Sequence, residues 1–266
     1  MPSGDVDMNA IVGSHGLALI TLDTLRYDVA AEELAAGRTP NLARLVGRWE
    51  ERHTPGSFTY AAHAAFFAGF LPTPARPGRH PRRFALRFEG SETTAPGTCV
   101  LDGANIVEGL AARGYHTLCV GGVGFFNQQN PLGRVFPSMF AEAHWSRATG
   151  VTDPRSFEHQ IGVVAEKLAT VPATRRAFTF VNISALHQPN HFYLDGATGD
   201  TRATHAAALR YVDRHVTGLF DVLAARGPLF AIVCSDHGTL YGEDDYLGHR
   251  IAHPNVMTVP YAEVQL

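Results

Sequence analysis

Apolar positions along the chain fall into two alternating patterns. Short, nearly unbroken apolar runs bounded by Gly, Pro or polar clusters predict buried strands over 18–22, 116–120, 178–183, 230–234 and 256–259. Between them, apolar residues recur every three to four positions and predict helices over 41–52, 104–113, 156–170 and 204–226. A further short Ala/Phe-rich helix follows the hydroxyl of Thr59 and is closed by Gly69 and Pro72. Strands alternating with helices predict an α/β fold, a mostly parallel sheet with helices on both faces. No internal repeat, heptad run or linker interrupts the pattern, so residues 1–266 read as a single domain.

In such sheets ligands bind just beyond the carboxyl ends of the strands, and two of the apolar runs end in candidate ligands. Leu17-Ala-Leu-Ile-Thr-Leu22 delivers Asp23, with Arg26 and Asp28 close behind. The run from Leu229 to Ser235 delivers Asp236-His237-Gly238, and His249 follows thirteen residues after Asp236. Carboxylate and imidazole are oxygen and nitrogen donors suited to zinc or a similar divalent ion. Each half-site has a plainer reading: a strand-end Asp also caps helices, and Asp-His-Gly also makes a turn. Two matching half-sites favour the metal. Thr59 has the same double character. A hydroxyl at a helix start serves as a cap, or as a nucleophile for an anion drawn to the unpaired N–H groups and positive dipole end.

Taken together, these segments resemble the alkaline phosphatase superfamily, in its sulfatase-like and nucleotide pyrophosphatase/phosphodiesterase branches. The resemblance rests on Asp23, on Thr59 with His63 and Gly69 at the family's offsets, and on Ser235-Asp236-His237-Gly238 with His249 downstream. Thr39-Pro-Asn-Leu42, Leu186-His187-Gln-Pro-Asn-His191 and the Tyr211-Val-Asp213 helix resemble further family segments, so the likeness runs over 17–260. It implies an alkaline phosphatase-like core and a metal-dependent hydrolase that cleaves phosphodiester, phosphomonoester or phosphonate bonds through a covalent phosphothreonine. Asp23, Asp236, His237 and the Thr59 oxygen would surround one divalent ion, zinc first, with manganese or magnesium as alternatives. A second ion would take His187, His191 and His249. In single-metal relatives His187 and His249 would instead bind substrate or protonate the leaving group. Arg26 and His63 are the candidates for substrate contact, although Arg26 equally suits a pairing with Asp28 and His63 a packed helix position. The alternatives on the same residues are a phosphotransferase or phosphomutase, and a non-catalytic metal-binding scaffold.

The departures sharpen this. Ala61 and Ala62 stand where the family has Pro and a polar residue, and no Cys lies near Thr59, which excludes the formylglycine of true sulfatases. A formal charge of −3 does not fit a nucleic-acid binder, and no apolar run reaches the length of a membrane span. A small-molecule ester is therefore the expected partner, with no nucleic acid and no membrane. Three scattered cysteines and an N-terminus without a signal-peptide pattern lead to the expectation of a cytoplasmic protein. Residues 73–98, rich in Pro, Gly and Arg, read as a surface loop or as a lid carrying phosphate-binding arginines. Gly121-Gly-Val-Gly124 follows a strand but lacks the spacing of a dinucleotide-binding or Walker loop.

Overall fold

A computed structural model of the chain describes residues 6–69 and 104–266; the 73–98 segment, Pro72 and Cys99 lie outside them. The apolar runs become the centre of a seven-stranded sheet. Its strands are β1 Gly16–Leu22, β2 Glu50–His53, β3 His116–Val120, β4 Glu142–His144, β5 Ala177–Ile183, β6 Leu229–Cys234 and, beyond the small β7–β8 hairpin Leu240–Tyr241 and Leu247–Gly248, β9 Thr258–Gln265. They lie in the order β2-β9-β6-β1-β5-β3-β4. The pairs from β6 through β4 are parallel, whereas β9 runs antiparallel to both β6 and β2. The helices are α1 Met8–Ile11, α2 Tyr27–Ala35, α3 Pro40–Val46, α4 Thr59–Ala68, α5 Ile106–Ala112, α6 Pro131–Arg134, α7 Ser156–Thr170, α8 Arg202–Ala224 and α9 Pro254–Met257.

Alternation along the central strands divides the core into two layers. Ile20, Leu22, Val181 and Ile183 pack with residues of α2, α3, α7 and α8 on one face. Leu17, Phe178, Phe180 and Phe230 pack with α4 and α5 on the other. Because β1 sits between β5 and β6, the carboxyl ends of all three strands meet at one place. This is an α/β arrangement of a mostly parallel sheet with flanking helices.

Two expected elements differ. The helix predicted over 41–52 stops at Val46, where Gly47 takes φ 66, a positive value that glycine adopts at no steric cost, and ends it. The chain then extends as β2 to pair with β9. The apolar spacing of Leu42, Leu45 and Trp49 imitates a continuing helix. Likewise the strand predicted over 256–259 starts later: Val256 belongs to α9, whose start is capped by the His253 ring accepting from the Asn255 N–H. Pro260 inside β9, paired opposite Glu51, obscured the strand's length.

Helices α2 and α8 are tied by a buried carboxylate. Glu33 is 2% exposed and accepts from Arg38 Nη2 at 2.7 Å and Arg210 Nε at 2.7 Å. Burial opposes its charge, but the two arginines outweigh burial and hold its pKa down to about 2. The sign follows from that depression. The contribution is complete above the ordinary glutamate value and fades as pH falls toward the folded-state value. Glu33→Gln is expected to cost roughly 2 kcal/mol at pH 7, less than a fully buried pair because both arginines keep one side in water. Urea unfolding of both proteins should show the gap shrinking by more than half at pH 3; a gap that does not change with pH would refute the ion-pair account.

Candidate active site

Asp23 follows β1, Asp236 and His237 follow β6, and Thr59 opens α4. Asp23, Asp236 and His237 are all 0% exposed, and one ligand atom from each lies within 4.8 Å of the others. The Thr59 hydroxyl stands 3.2 Å from His237 Nε2. Four donors from three separate stretches of sequence therefore converge at the sheet's carboxyl edge.

The hydrogen bonds decide what these donors are for. Asp236 Oδ1 accepts from the N–H groups of Thr24 at 3.1 Å and His237 at 3.0 Å. Asp23 Oδ2 accepts from the Asn182 amide at 2.9 Å. The other oxygen of each, Asp236 Oδ2 and Asp23 Oδ1, is buried with no hydrogen-bond partner among the described residues, the nearest nitrogens to Asp236 Oδ2 being His237 Nε2 at 3.5 Å and His63 Nδ1 at 3.7 Å. His237 Nδ1–H donates to the Gly238 carbonyl at 2.8 Å, so its Nε2 carries a lone pair, which faces the Thr59 hydroxyl. Buried polar atoms without partners are rare and costly. Two carboxylate oxygens, an imidazole lone pair and a hydroxyl meeting at one point fit a divalent cation. Burial, and for Asp23 next the neighbouring Asp236 charge, raise both aspartates well above the ordinary carboxylate range. Burial lowers His237 and favours the neutral, ligating imidazole.

Thr24 holds its position at φ 66, an uncommon backbone for a β-branched residue. That turn aims its N–H at Asp236 and its hydroxyl at the Leu186 carbonyl, 3.2 Å away. Strain is thus placed where it fixes a carboxylate.

The remaining candidates separate. His249 lies with its ring 4.6 Å from that of His237 and 5.8 Å from that of His187. His187, His249 and Thr59 line one cavity of about 300 Å³. His187 Nδ1–H donates to the Gln188 carbonyl at 2.5 Å, so its Nε2 is the free nitrogen. Burial, with His237 and His187 nearby, pushes His249 down to about 3 and keeps it neutral. His191 is not brought to this cavity's lining; it faces Asp200, 3.3 Å away.

His63 lies beneath the site rather than along the cavity. Its Nδ1–H donates to the Thr59 carbonyl at 2.8 Å, and its Nε2 accepts from Thr21 at 3.1 Å. Phe126 and Phe180 flank the ring at 5.4 and 5.5 Å. That apolar shell pushes its pKa down to about 3. Arg26 is likewise placed away from the cavity lining, where its guanidinium is held by Asp28 and Glu243. Glu243 also accepts from the Tyr241 N–H at 2.6 Å, so Arg26 anchors the β7–β8 hairpin whose end carries His249. Asp244 pairs with His253.

Sequence reasoning missed Asn182. Fully buried near the end of β5, its amide donates to Asp23 and to Thr21, and its oxygen accepts from the Val123 N–H at 3.1 Å. The available signal was a lone carboxamide inside the apolar run Phe-Thr-Phe-Val-Asn-Ile.

No family model matches the chain, and no curated protein matches it in sequence. Solved structures match its fold over nearly the whole length. A protein in the alkaline phosphatase superfamily from Vibrio parahaemolyticus is 17% identical with a TM-score of 0.58, over 95% of this chain and 60% of that one. The C-terminal periplasmic domain of EptC from Escherichia coli, in complex with Zn, is 14% identical with a TM-score of 0.61, over 95% of this chain and 74% of that one. The Streptococcus pyogenes phosphoglycerol transferase GacH, in complex with sn-glycerol-1-phosphate, is 12% identical with a TM-score of 0.57, over 96% and 69%. The chain has the alkaline phosphatase-like fold of these structures.

Proposed function

We propose that this chain is a metal-dependent phosphotransferase that passes a phosphoester group through Thr59 to a hydroxyl acceptor. The observation that carries the reading is the meeting of two buried carboxylate oxygens without a hydrogen-bond partner among the described residues, the His237 Nε2 lone pair and the Thr59 hydroxyl. A divalent ion bound by these four would lower the pKa of the hydroxyl, since an unaided alcohol is a weak nucleophile near neutral pH. Zinc is the first choice because a structural neighbour is described in complex with Zn; manganese and magnesium are alternatives.

The chain's own residues supply the rest. Thr59 Oγ1 bonds to phosphorus as the ester P–O bond breaks, and the departing alcohol takes up a proton. An acceptor hydroxyl then attacks phosphorus, the P–Oγ1 bond breaks and Thr59 regains its proton. His187 Nε2, which carries a lone pair, suits taking the Thr59 proton and passing it to the leaving alcohol, then taking the acceptor's proton and returning it to Thr59; His249, held neutral beside the cavity, suits accepting a hydrogen bond from a substrate hydroxyl. The positive end of α4 favours the anionic group at Thr59.

Transfer is placed ahead of the hydrolysis expected from the sequence because the GacH neighbour is described as a phosphoglycerol transferase; water is the competing acceptor. A small soluble ester remains the proposed substrate. No helix among the described residues is long and apolar enough to cross a membrane. A cytoplasmic location is kept as part of the proposal; the Escherichia coli neighbour is described as a periplasmic domain.

The test is product partition. Zinc-loaded protein acting on a nitrophenyl phosphodiester should give mostly the transfer product when glycerol is added, read by phosphorus NMR. Release of only the hydrolysed ester at every glycerol concentration would overturn transfer in favour of hydrolysis.

A further inference from the structure

The cavity beside Thr59 holds about 300 Å³, room for a phosphoryl group together with a small organic group attached to it. The wall that completes it comes from the segment between β3 and α6, through Phe125, Asn127 and Asn130. That segment is packed hard onto the metal-site scaffold. A Cβ on Gly121 would fall 2.2 Å from Phe126 Cβ, and one on Gly122 would fall 2.5 Å from the Asn182 carbonyl oxygen. The Val123 N–H is bound by the same Asn182 that steadies Asp23. Gly121-Gly-Val-Gly124 is therefore a close-approach loop that presents the residues following it.

Both carboxamides are oriented by the backbone. Asn127 Oδ1 accepts from the Gln129 N–H at 2.9 Å, and Asn130 Oδ1 accepts from the Gly133 N–H at 2.8 Å. A side chain on Gly133 would strike Asn127 Oδ1 at 2.3 Å, so the tight turn and the amide orientation depend on each other. Each oxygen is held by one backbone bond, and neither NH2 has a hydrogen-bond partner among the described residues, so the wall offers a ligand two amide donors. Phe125 and Leu132 add apolar surface beside them.

We propose that Asn127 and Asn130 form the subsite for the organic group of the transferred phosphoester, and that this group is an uncharged polyol of the glycerol or sugar type. Hydroxyl oxygens accept from the two amides while the carbon skeleton rests on Phe125. An ammonium-bearing group gains less at this wall, because its own donors would face the two amide NH2 donors. The inference rests on Thr59 being a phosphoester-transfer site.

Calorimetric titration of the zinc-loaded full chain with glycerol 1-phosphate, ethyl phosphate and phosphoethanolamine tests it. Glycerol 1-phosphate should bind about tenfold tighter than ethyl phosphate, the worth of one to two hydrogen bonds, and tighter than phosphoethanolamine. Asn127→Leu and Asn130→Leu should each bring glycerol 1-phosphate toward the ethyl phosphate value. Asn127→Asp, which keeps the Oδ1 acceptor and hence the turn, should shift preference toward phosphoethanolamine. Equal binding of the three phosphates, or asparagine variants that leave their ranking unchanged, would overturn the subsite alone. Failure of all three to bind would overturn the phosphoester reading with it.

Discussion

Thr59→Ala is expected to reduce phosphoester turnover by ~10³-fold or more while leaving zinc affinity within about tenfold, since the variant loses the nucleophile but keeps the other three donors. The hydroxyl has no evident substitute close by on its helix. The Tyr60 ring packs against Phe125 and Phe136, Ala61 and Ala62 carry no polar group, and His63 is committed at both ring nitrogens to Thr59 and Thr21. Thr59→Ser should keep a measurable fraction of activity, because it restores the oxygen and loses only the β-methyl that restricts its rotamer. Kinetics should be paired with intact-mass analysis of rapidly quenched reactions. The wild-type chain should gain the mass of the transferred group, and the alanine variant should not. Turnover of Thr59→Ala near the wild-type rate would mean that the acceptor attacks phosphorus directly and that no phosphothreonine forms.

The parts of this site that could be read in the sequence are those where a local rule is broken. Asp23 and Asp236 each end an apolar run that has no local need for charge, and Thr59 opens a helix without a side-chain cap bond of its own. A period-two or unbroken apolar pattern also located β1, β5 and β6, whose burial is dictated by neighbours on both sides. What stayed hidden depends on partners distant in sequence. Arg26 suited a phosphoryl clamp and a pairing with Asp28 equally; it pairs with Asp28, and its second partner, Glu243, is 217 residues away. His63 matched a family offset, but the cluster of Phe rings around it could be assembled only by folding β5 against α4. Asn182 is a single polar residue in a strand, and nothing local shows that it joins Asp23 to the β3 loop. Helix α3 was overextended because Trp49 continues the apolar spacing past Gly47, and spacing carries no information on φ.

The second large effect is a trade of stability against metal binding in Asp236→Asn. In the metal-free protein, two buried carboxylates face each other with one oxygen apiece unpartnered among the described residues. Burial raises the pKa of both, and their mutual repulsion adds to this for Asp23. A raised folded-state pKa means that the protonated form is favoured on folding. That stabilisation is present below the ordinary aspartate value, near pH 4, and is lost as pH climbs through the folded-state value toward neutrality. The asparagine carries no charge, and its Oδ1 can still accept from the Thr24 and His237 N–H groups. Without metal at pH 7.5, Asp236→Asn should therefore melt about 2–4 °C above wild type, equivalent to about 1 kcal/mol, with the difference disappearing near pH 4. Zinc should reverse the order. Wild type should gain about 4 kcal/mol at a thousandfold excess over Kd, whereas the variant presents an amide NH2 where a carboxylate oxygen stood and should lose at least ~10²-fold in affinity. Melting curves with zinc and with chelator, at both pH values, give all four comparisons. A variant that is less stable than wild type in chelator, or that still rises with zinc, would show that Asp236 holds the fold together rather than the ion.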